Sequence, residues 1–232
     1  MIFVVAEIGV NWEGDFDLAR EIMFNVKKVG CNAVKFQAFN EEIVRKHSEK
    51  SKLLKSAITK NNIETINELA KSNGIEWFCT PMYPDAVDFL QPFVKRFKVR
   101  ELDGRPLLEN KTTELLEKLF KTRKEIIISS QTVPKNFKIN NNYKIKWLYC
   151  VPKYPCKLSD LDFSKIKDFN GYSNHCAHII APLTAAILGS EIIEVHITPD
   201  KTGNFTDNPV SFDYNELKGL IDLIRLSEEI QK

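Results

Sequence analysis

Five short apolar segments each finish on ionisable or strongly polar side chains. IFVVAEIG carries Glu7, AVKFQ carries Lys35 and Gln37, FKV carries Lys98, GYSNH carries Ser173 and His175, and EIIEVHIT carries Glu194 and His196. Successive side chains of a β-strand face opposite sides. Phe3, Val5 and Glu7 therefore share a face, as do Ala33, Lys35 and Gln37, while Lys98 opposes Phe97 and Val99. In the last segment Ile193, Val195 and Ile197 make an aliphatic face, and Ile192, Glu194, His196 and Thr198 lie on the other. A lone Lys or Glu at a strand end ordinarily reaches solvent. Convergence is different: burying Lys35, Lys98, Glu7, Glu194 and His196 around one mouth costs several kcal/mol per unpaired ion. The expectation is compensating charge supplied by a ligand or a metal.

Two lysines from different strands suit a small polyanion such as a phosphate. Two imidazoles, His175 and His196, suit a divalent cation, or else form a hydrogen-bonded structural pair. Neighbouring barrel strands lie about 4.8 Å apart, so their end residues can share one ion at about 2.0 to 2.2 Å. His178 competes as a ligand, because the HxxH spacing puts it on the His175 side of a helix, in its first turn. His47, in EEIVRKHSEK, reads as a solvated helix residue. Cys79, before Thr80 and Pro81, is either a packed thiol or a nucleophile. SSQT at 129 to 132 and its backbone amides can hold an anion. Glycine spacing yields neither a Walker loop nor GxGxxG.

Eight β-rich runs can position these groups: Ile2 to Ile8, Ala33 to Gln37, Glu76 to Cys79, Phe97 to Val99, Glu125 to Ser129, Ile145 to Cys150, Gly171 to Ser173 and Glu191 to Ile197. Helical patterns alternate with them at Asp15 to Val29, Ile63 to Ser72, Pro84 to Phe93, Pro106 to Phe120, Leu158 to Ile166, Ala177 to Leu188 and Tyr214 to Ile230. PKNFKINNNY has little helical periodicity. Local punctuation agrees, with GD before the first helix, Asn73 and Gly74 closing another, and Gly189 after LTAAIL. The economical closure is an α/β (β/α)8 TIM barrel, a single domain over residues 1–232, with an open doubly wound sheet as the alternative.

Composition narrows the class. The 232 residues carry 33 basic and 31 acidic side chains, a formal charge of +2, and the two signs are interspersed. No block calls for nucleic acid. No apolar run approaches the roughly 20 residues of a membrane span, and MIFVVAEIGV lacks the layout of a signal peptide, so a cytoplasmic protein is expected. Five cysteines without CxxC spacing read as reduced thiols.

AEIGVNWEGD, AVKFQAF, FCTPMYPDAVDFL, GYSNHCAH and IIEVHITPDK together resemble, in order, the motifs of the N-acetylneuraminate (sialic acid) synthase family, from about residue 4 to residue 212. The resemblance implies a (β/α)8 barrel that condenses phosphoenolpyruvate with an N-acetylated amino-sugar aldehyde, giving a nine-carbon keto acid and phosphate. It implies a divalent metal, often manganese, with Mg2+ or Co2+ as alternatives. Residue by residue, it places Glu7 in the site, Lys35 and Gln37 at phosphoenolpyruvate and its surroundings, and Thr80, Lys98 and Ser129 at its phosphate. Tyr154 is implicated through YP. His175 and His196 would hold the metal with Glu194 beside them, and Asp207 would bind sugar hydroxyls. Glu7 or Glu194 would activate the water that adds after the carbon–carbon bond forms.

The pattern breaks in four places. Glu101 stands where the family has a serine, and a carboxylate there repels phosphate unless Arg100, Arg105 or the metal compensates. Pro152 replaces a polar residue, Asn174 an aspartate and Asn208 a histidine. Typical members also continue into a small antifreeze-like domain whose arginine enters a neighbour's site, so the expectation is a barrel alone, as a homodimer or with a separate partner polypeptide. The leading reading is a nonulosonic-acid synthase. The alternatives are a metal-dependent aldolase or isomerase that does not use phosphoenolpyruvate, and a non-catalytic barrel binding a sugar or pathway partner.

Overall fold

The computed structural model describes residues 1–134 and 143–230, so most of PKNFKINNNY lies outside the described residues. Eight parallel strands close in sequence order: β1 Phe3–Gly9, β2 Ala33–Ala38, β3 Glu76–Pro81, β4 Arg96–Val99, β5 Glu125–Ser130, β6 Ile145–Tyr149, β7 Gly171–Asn174 and β8 Ile192–His196. Every expected strand is present with ends shifted by one or two residues, and the closed barrel displaces the open sheet.

Register decides what meets inside. Residues paired across a parallel ladder point to the same side. Glu7 pairs with Lys35 on one side and His196 on the other, Glu194 pairs with Val5 and Ser173, and Gln37 pairs with Thr80. The opposite faces carry Val34, Trp77, Phe97, Ile128, Trp147, Tyr172, Ile193 and Val195, all buried in one hydrophobic cluster beneath the outer helices. At the amino-terminal end Arg96 bridges Glu76 and Glu125, with its guanidinium 4.7 Å from the Phe3 ring centroid.

The first helix, α1 (Phe16–Val29), starts where the Asp15 side chain accepts from the amides of Asp17 and Leu18, and ends at Gly30 in the left-handed region. After β2 come two short helices that periodicity did not reveal, α2 (Glu41–Val44) and α3 (Lys50–Ser56). Their Val44 and Leu53 pack with Val10, Phe39 and Ala57 as a small second cluster over the barrel mouth. Then follow α4 (Ile63–Ser72) and α5 (Pro84–Leu90). The single helix expected over Pro106 to Phe120 is two, α6 (Glu101–Leu108) and α7 (Glu114–Lys121). Asn110, at φ +56°, turns the chain between them, and Thr113 caps the second. The Leu158 to Ile166 helix is replaced by two 3₁₀ segments, Leu158–Asp160 and Phe163–Asp168, separated by extended Leu161 and Asp162. The last helices are α8 (Ile180–Ile187) and α9 (Tyr214–Ile230). No helix among the described residues is long and apolar enough to cross a membrane.

Candidate active site

A cavity of about 460 Å³ opens at the carboxyl ends of the strands, the end where barrel loops assemble catalytic sites. Glu7, Lys35, Gln37, Thr80, Lys98, Ser129, Tyr154, His175, Glu194, His196 and Asp207 all line it. Residues scattered over two hundred positions are thus brought together by strand register.

The floor is an ionic network. Lys35 Nζ lies 2.8 Å from Glu7 Oε2 and 3.6 Å from Glu194 Oε1, and donates to Thr80 Oγ1 at 3.1 Å. The contact with Glu7 Oε2 is an ion pair without hydrogen-bond alignment. Lys98 Nζ donates to Glu194 Oε1 at 2.8 Å, and Ser173 Oγ donates to the same oxygen at 3.0 Å. Gln37 Nε2 donates to Glu7 Oε1 at 2.6 Å. The expectation that a ligand or metal must compensate these charges is therefore corrected: two buried ammonium groups and two buried carboxylates balance one another in charge, although Glu7 Oε2 and Glu194 Oε2 keep no hydrogen-bond partner. Burial alone would raise the Glu194 carboxyl pKa, yet Lys35 and Lys98 override it and hold it down at about 2. Burial alone would lower the Lys35 ammonium pKa, but Glu194 and Glu7 outweigh it and the net shift is upward. Glu194 Oε2 and Ser129 Oγ are buried without a hydrogen-bond partner.

Above the floor stand the two histidines, their ring centroids 5.5 Å apart. His175 Nδ1 lies 2.9 Å from the Val151 carbonyl, which can only accept, so the proton sits on Nδ1 and Nε2 keeps its lone pair. Burial and then the neighbouring His196 lower the His175 pKa to about 3, leaving a neutral imidazole. His196 Nδ1 lies 3.1 Å from Asp207 Oδ2, and its Nε2 accepts from the Tyr154 hydroxyl at 2.7 Å. Burial, then the Asp207 charge, hold the Tyr154 phenol well above its ordinary value, so it stays a donor. Tyr154 as a residue is 54% exposed, but its ring covers His175 with centroids 4.0 Å apart and its hydroxyl reaches inward to His196.

Each imidazole thus has Nδ1 held by an acceptor and Nε2 turned to other partners, the arrangement that orients metal-binding histidines. Among the described residues no group of three or more His, Cys, Asp or Glu is arranged to hold a metal ion. The donor set fits a cation held by two imidazoles with its other positions left to substrate or water, once Tyr154 releases His196.

Other candidates fall outside this arrangement. His178 is exposed and away from the cavity lining, which excludes it as a partner of His175 here. His47 is in a turn rather than a helix, and it lines the cavity rim. Burial raises the Cys79 thiol well above its ordinary value, which fits packing and opposes nucleophilic use. Asn208 turns away to the carbonyls of Asp200, Lys201 and Gly203. Asn174 accepts from the Tyr172 hydroxyl and the Cys176 amide, shaping the turn that presents His175. Glu101 is neutralised by Arg105, whose Nη2 lies 2.7 Å from Oε2.

Ser173, placed beside His175 by the strand pattern but given no role there, donates to Glu194. Two residues were missed. Cys150 Sγ lies 3.7 Å from His175 Nδ1, and alternation from Leu148 would have turned it inward. Asn11, fully buried, accepts from the Asp207 amide at 3.0 Å and donates to the Ile197 carbonyl at 2.9 Å, fixing the loop that carries Asp207. Its only signal was its place four residues after Glu7.

Comparison with known proteins places the fold and sequence in a recognised group. The NeuB family model matches residues 22–232. An uncharacterised protein of Methanocaldococcus jannaschii is 33% identical over 98% of this chain and 71% of its own length. The N,N'-diacetyllegionaminic acid synthase of Legionella pneumophila is 30% identical over 98% of this chain and 72% of its own length. The crystal structure of N-acetylneuraminic acid (sialic acid) synthetase from Leptospira borgpetersenii, in complex with citrate, superposes with a TM-score of 0.87 at 27% identity, covering 99% of this chain and 85% of that one.

Proposed function

The chain belongs to the NeuB family, and from that premise we propose that it condenses phosphoenolpyruvate with an N-acylated amino-sugar aldehyde, N-acetylmannosamine-like, to give a nonulosonic acid and phosphate. The observation that carries this reading is the paired Lys35–Glu7 and Lys98–Glu194 floor beneath a histidine pair in a cavity of about 460 Å³.

The enol carbon bonds to the aldehyde carbon, water adds to the cationic carbon left behind, and the phosphate departs with the oxygen that bound it. Lys35, Lys98, Thr80 and Ser129 orient the enol phosphate, which lowers the entropic part of the barrel's task. Ser129 Oγ, buried and unpartnered, is free to donate to a phosphate oxygen. Gln37 fixes Glu7, and Asp207 takes sugar hydroxyls near His196. His175 and His196 are the residues that would hold a divalent cation, Mn2+ with Mg2+ or Co2+ as alternatives, whose chemistry when bound is Lewis-acid polarisation of the aldehyde oxygen.

Glu194 is a poor base while two lysines hold its pKa near 2. A phosphate that draws those lysines toward itself weakens their hold, so Glu194 gains basicity when substrate is in place. That timing matches the need to deprotonate water only after the enol phosphate has bound.

The test is phosphate release from phosphoenolpyruvate against a panel of amino-sugar aldehydes with Mn2+ present. Release that requires both substrates is expected. Its absence across the whole panel, or turnover of sugar without phosphoenolpyruvate, would overturn the proposal.

A further inference from the structure

The rim of the cavity carries a pair that the condensation described above does not use. Strand β4 passes into α6 through Arg100 alone, so Glu101 and Arg105, one helical turn apart, stand over the strand end that bears Lys98. Arg105 Nε lies 2.9 Å from both Glu101 oxygens, and Nη2 lies 2.7 Å from Oε2. One edge of the guanidinium is thereby bound to a carboxylate that is only 11% exposed, while the arginine side chain itself is 54% exposed. Both side chains line the cavity. Arg100 also lines it, but its guanidinium is held by Asp103, which does not.

Charge gives the pair a use. The two floor lysines are matched by Glu7 and Glu194, and Asp207 adds a further negative charge, so an incoming anion finds no surplus cation inside. A guanidinium has five N–H bonds in a planar fork, and a carboxylate on its Nε edge leaves the Nη1 edge to donate. Glu101 also sits in the first turn of α6, where the helix dipole favours a carboxylate, so the aiming group is held in place at little cost.

We propose that Arg105 is a substrate-binding residue aimed by Glu101, and that it takes an anionic group, phosphate or carboxylate, at the mouth of the cavity. The inference rests on the condensation reading. The anion has two sources, the enol phosphate or an anionic substituent on the sugar. Glu101 is a positioning residue: it touches Arg105 and does not itself bind the anion.

The experiment uses the full chain and four proteins: wild type, Arg105→Ala, Arg105→Lys and the double variant Glu101→Ala with Arg105→Ala. Phosphoenolpyruvate affinity is measured by calorimetry, and KM is measured for matched sugars with and without a phosphate ester. Arg105→Ala should weaken phosphoenolpyruvate binding at least fivefold, with kcat at saturation little changed and Arg105→Lys recovering part of the loss. The double variant decides the matter, because it removes the unpaired carboxylate together with its partner. If it stays at least fivefold weak, Arg105 itself holds the enol phosphate. If it binds phosphoenolpyruvate normally but its KM rises only for the phosphorylated sugar, the anion is on the sugar and the proposal stands. If it matches wild type in both measurements, Arg105 merely neutralises Glu101 and the proposal is overturned. Failure of the condensation reading looks different: wild type itself would then fail to bind phosphoenolpyruvate.

Discussion

Truncating Glu194 should be the most damaging change on the cavity floor, and the structure sets the size of the effect. In Glu194→Ala, Lys98 loses its 2.8 Å carboxylate and keeps only Ser173 Oγ at 3.5 Å, while Lys35 retains Glu7. Lys98 is 3% exposed, so solvent screens the loss of its partner only weakly. Removing one member of a buried ion pair costs about 3 to 5 kcal/mol, and for a chain of this size each kcal/mol lowers Tm by about 2 to 4 °C. A fall on the order of 10 °C is expected by calorimetry at neutral pH. Replacing both partners, Lys98→Met with Glu194→Leu, should recover most of it, because an apolar pair of similar volume is close to neutral. The pH dependence has a definite sign. Glu194 ionises near 2 when folded against 4.5 ordinarily, so its contribution is present above 4.5 and is lost as pH falls through about 2. The Tm gap between wild type and Glu194→Ala should close across that window. A single variant within about 2 °C of wild type, or a double variant as unstable as the two singles summed, would refute the account of the floor as a mutually compensating network.

Other consequences are as direct. Tyr154→Phe frees His196 Nε2 from a 2.7 Å hydrogen bond, so Mn2+ should bind about two- to tenfold more tightly, the equivalent of about 0.5 to 1.5 kcal/mol; paramagnetic resonance of free Mn2+ reads this, and unchanged or weaker binding contradicts it. Gly9 sits at φ +53°, and a Cβ there would lie 2.9 Å from Glu7 Oε1, 3.1 Å from Gln37 Nε2 and 3.2 Å from Asp207 Oδ2. Gly9→Ala should therefore lower kcat/KM for phosphate release at least tenfold while Tm drops only a few degrees, and a variant of normal activity would show that those three groups are not held where they are needed. With metal chelated, His175 stays neutral down to about 3 where the unfolded imidazole protonates near 6.5. Stability should fall as pH drops from 6.5 toward 3, by up to about 1.4 kcal/mol per pH unit. His175→Gln should flatten that slope in urea titrations; an unchanged slope would place the proton uptake elsewhere.

Strand positions were legible because one physical rule covers them. A parallel barrel strand needs an apolar outer face, and Val34, Phe97, Ile128, Ile193 and Val195 supply it, so the inward residues follow by alternation and the closure by counting. Helices were less legible where local geometry overrides periodicity. LLENKTTELL keeps a helical pattern of leucines, yet Asn110 at φ +56° and the Thr113 cap break it. The helices α2 and α3 lie in a charged stretch and bury only a few side chains, Val44, Leu53 and Ser56, too few to leave a stripe. Positioning residues such as Asn11 were invisible because a buried amide is specified by three-dimensional neighbours, which alternation does not encode.

The site's charge balance was the misread part, and the reason is instructive for the mechanism. From strand patterns alone, Lys35, Lys98, Glu7 and Glu194 are four separate charges on three-residue horizons, and each needs an external partner. Register changes that: Glu7 stands beside Lys35 across one ladder, and a single oxygen of Glu194 lies within 3.6 Å of both ammonium groups. The resting floor is therefore self-satisfied, and an anionic substrate has to compete for lysines that already have partners. Such competition is useful for a two-stage reaction. In the proposed condensation, Glu194 becomes a stronger base only while a bound phosphate draws the lysines away from it, which would couple water activation to substrate occupancy. The same logic places a cation with free N–H groups at the rim rather than on the floor: on the proposed reading, an anion can be met first by Arg105 without breaking any ion pair.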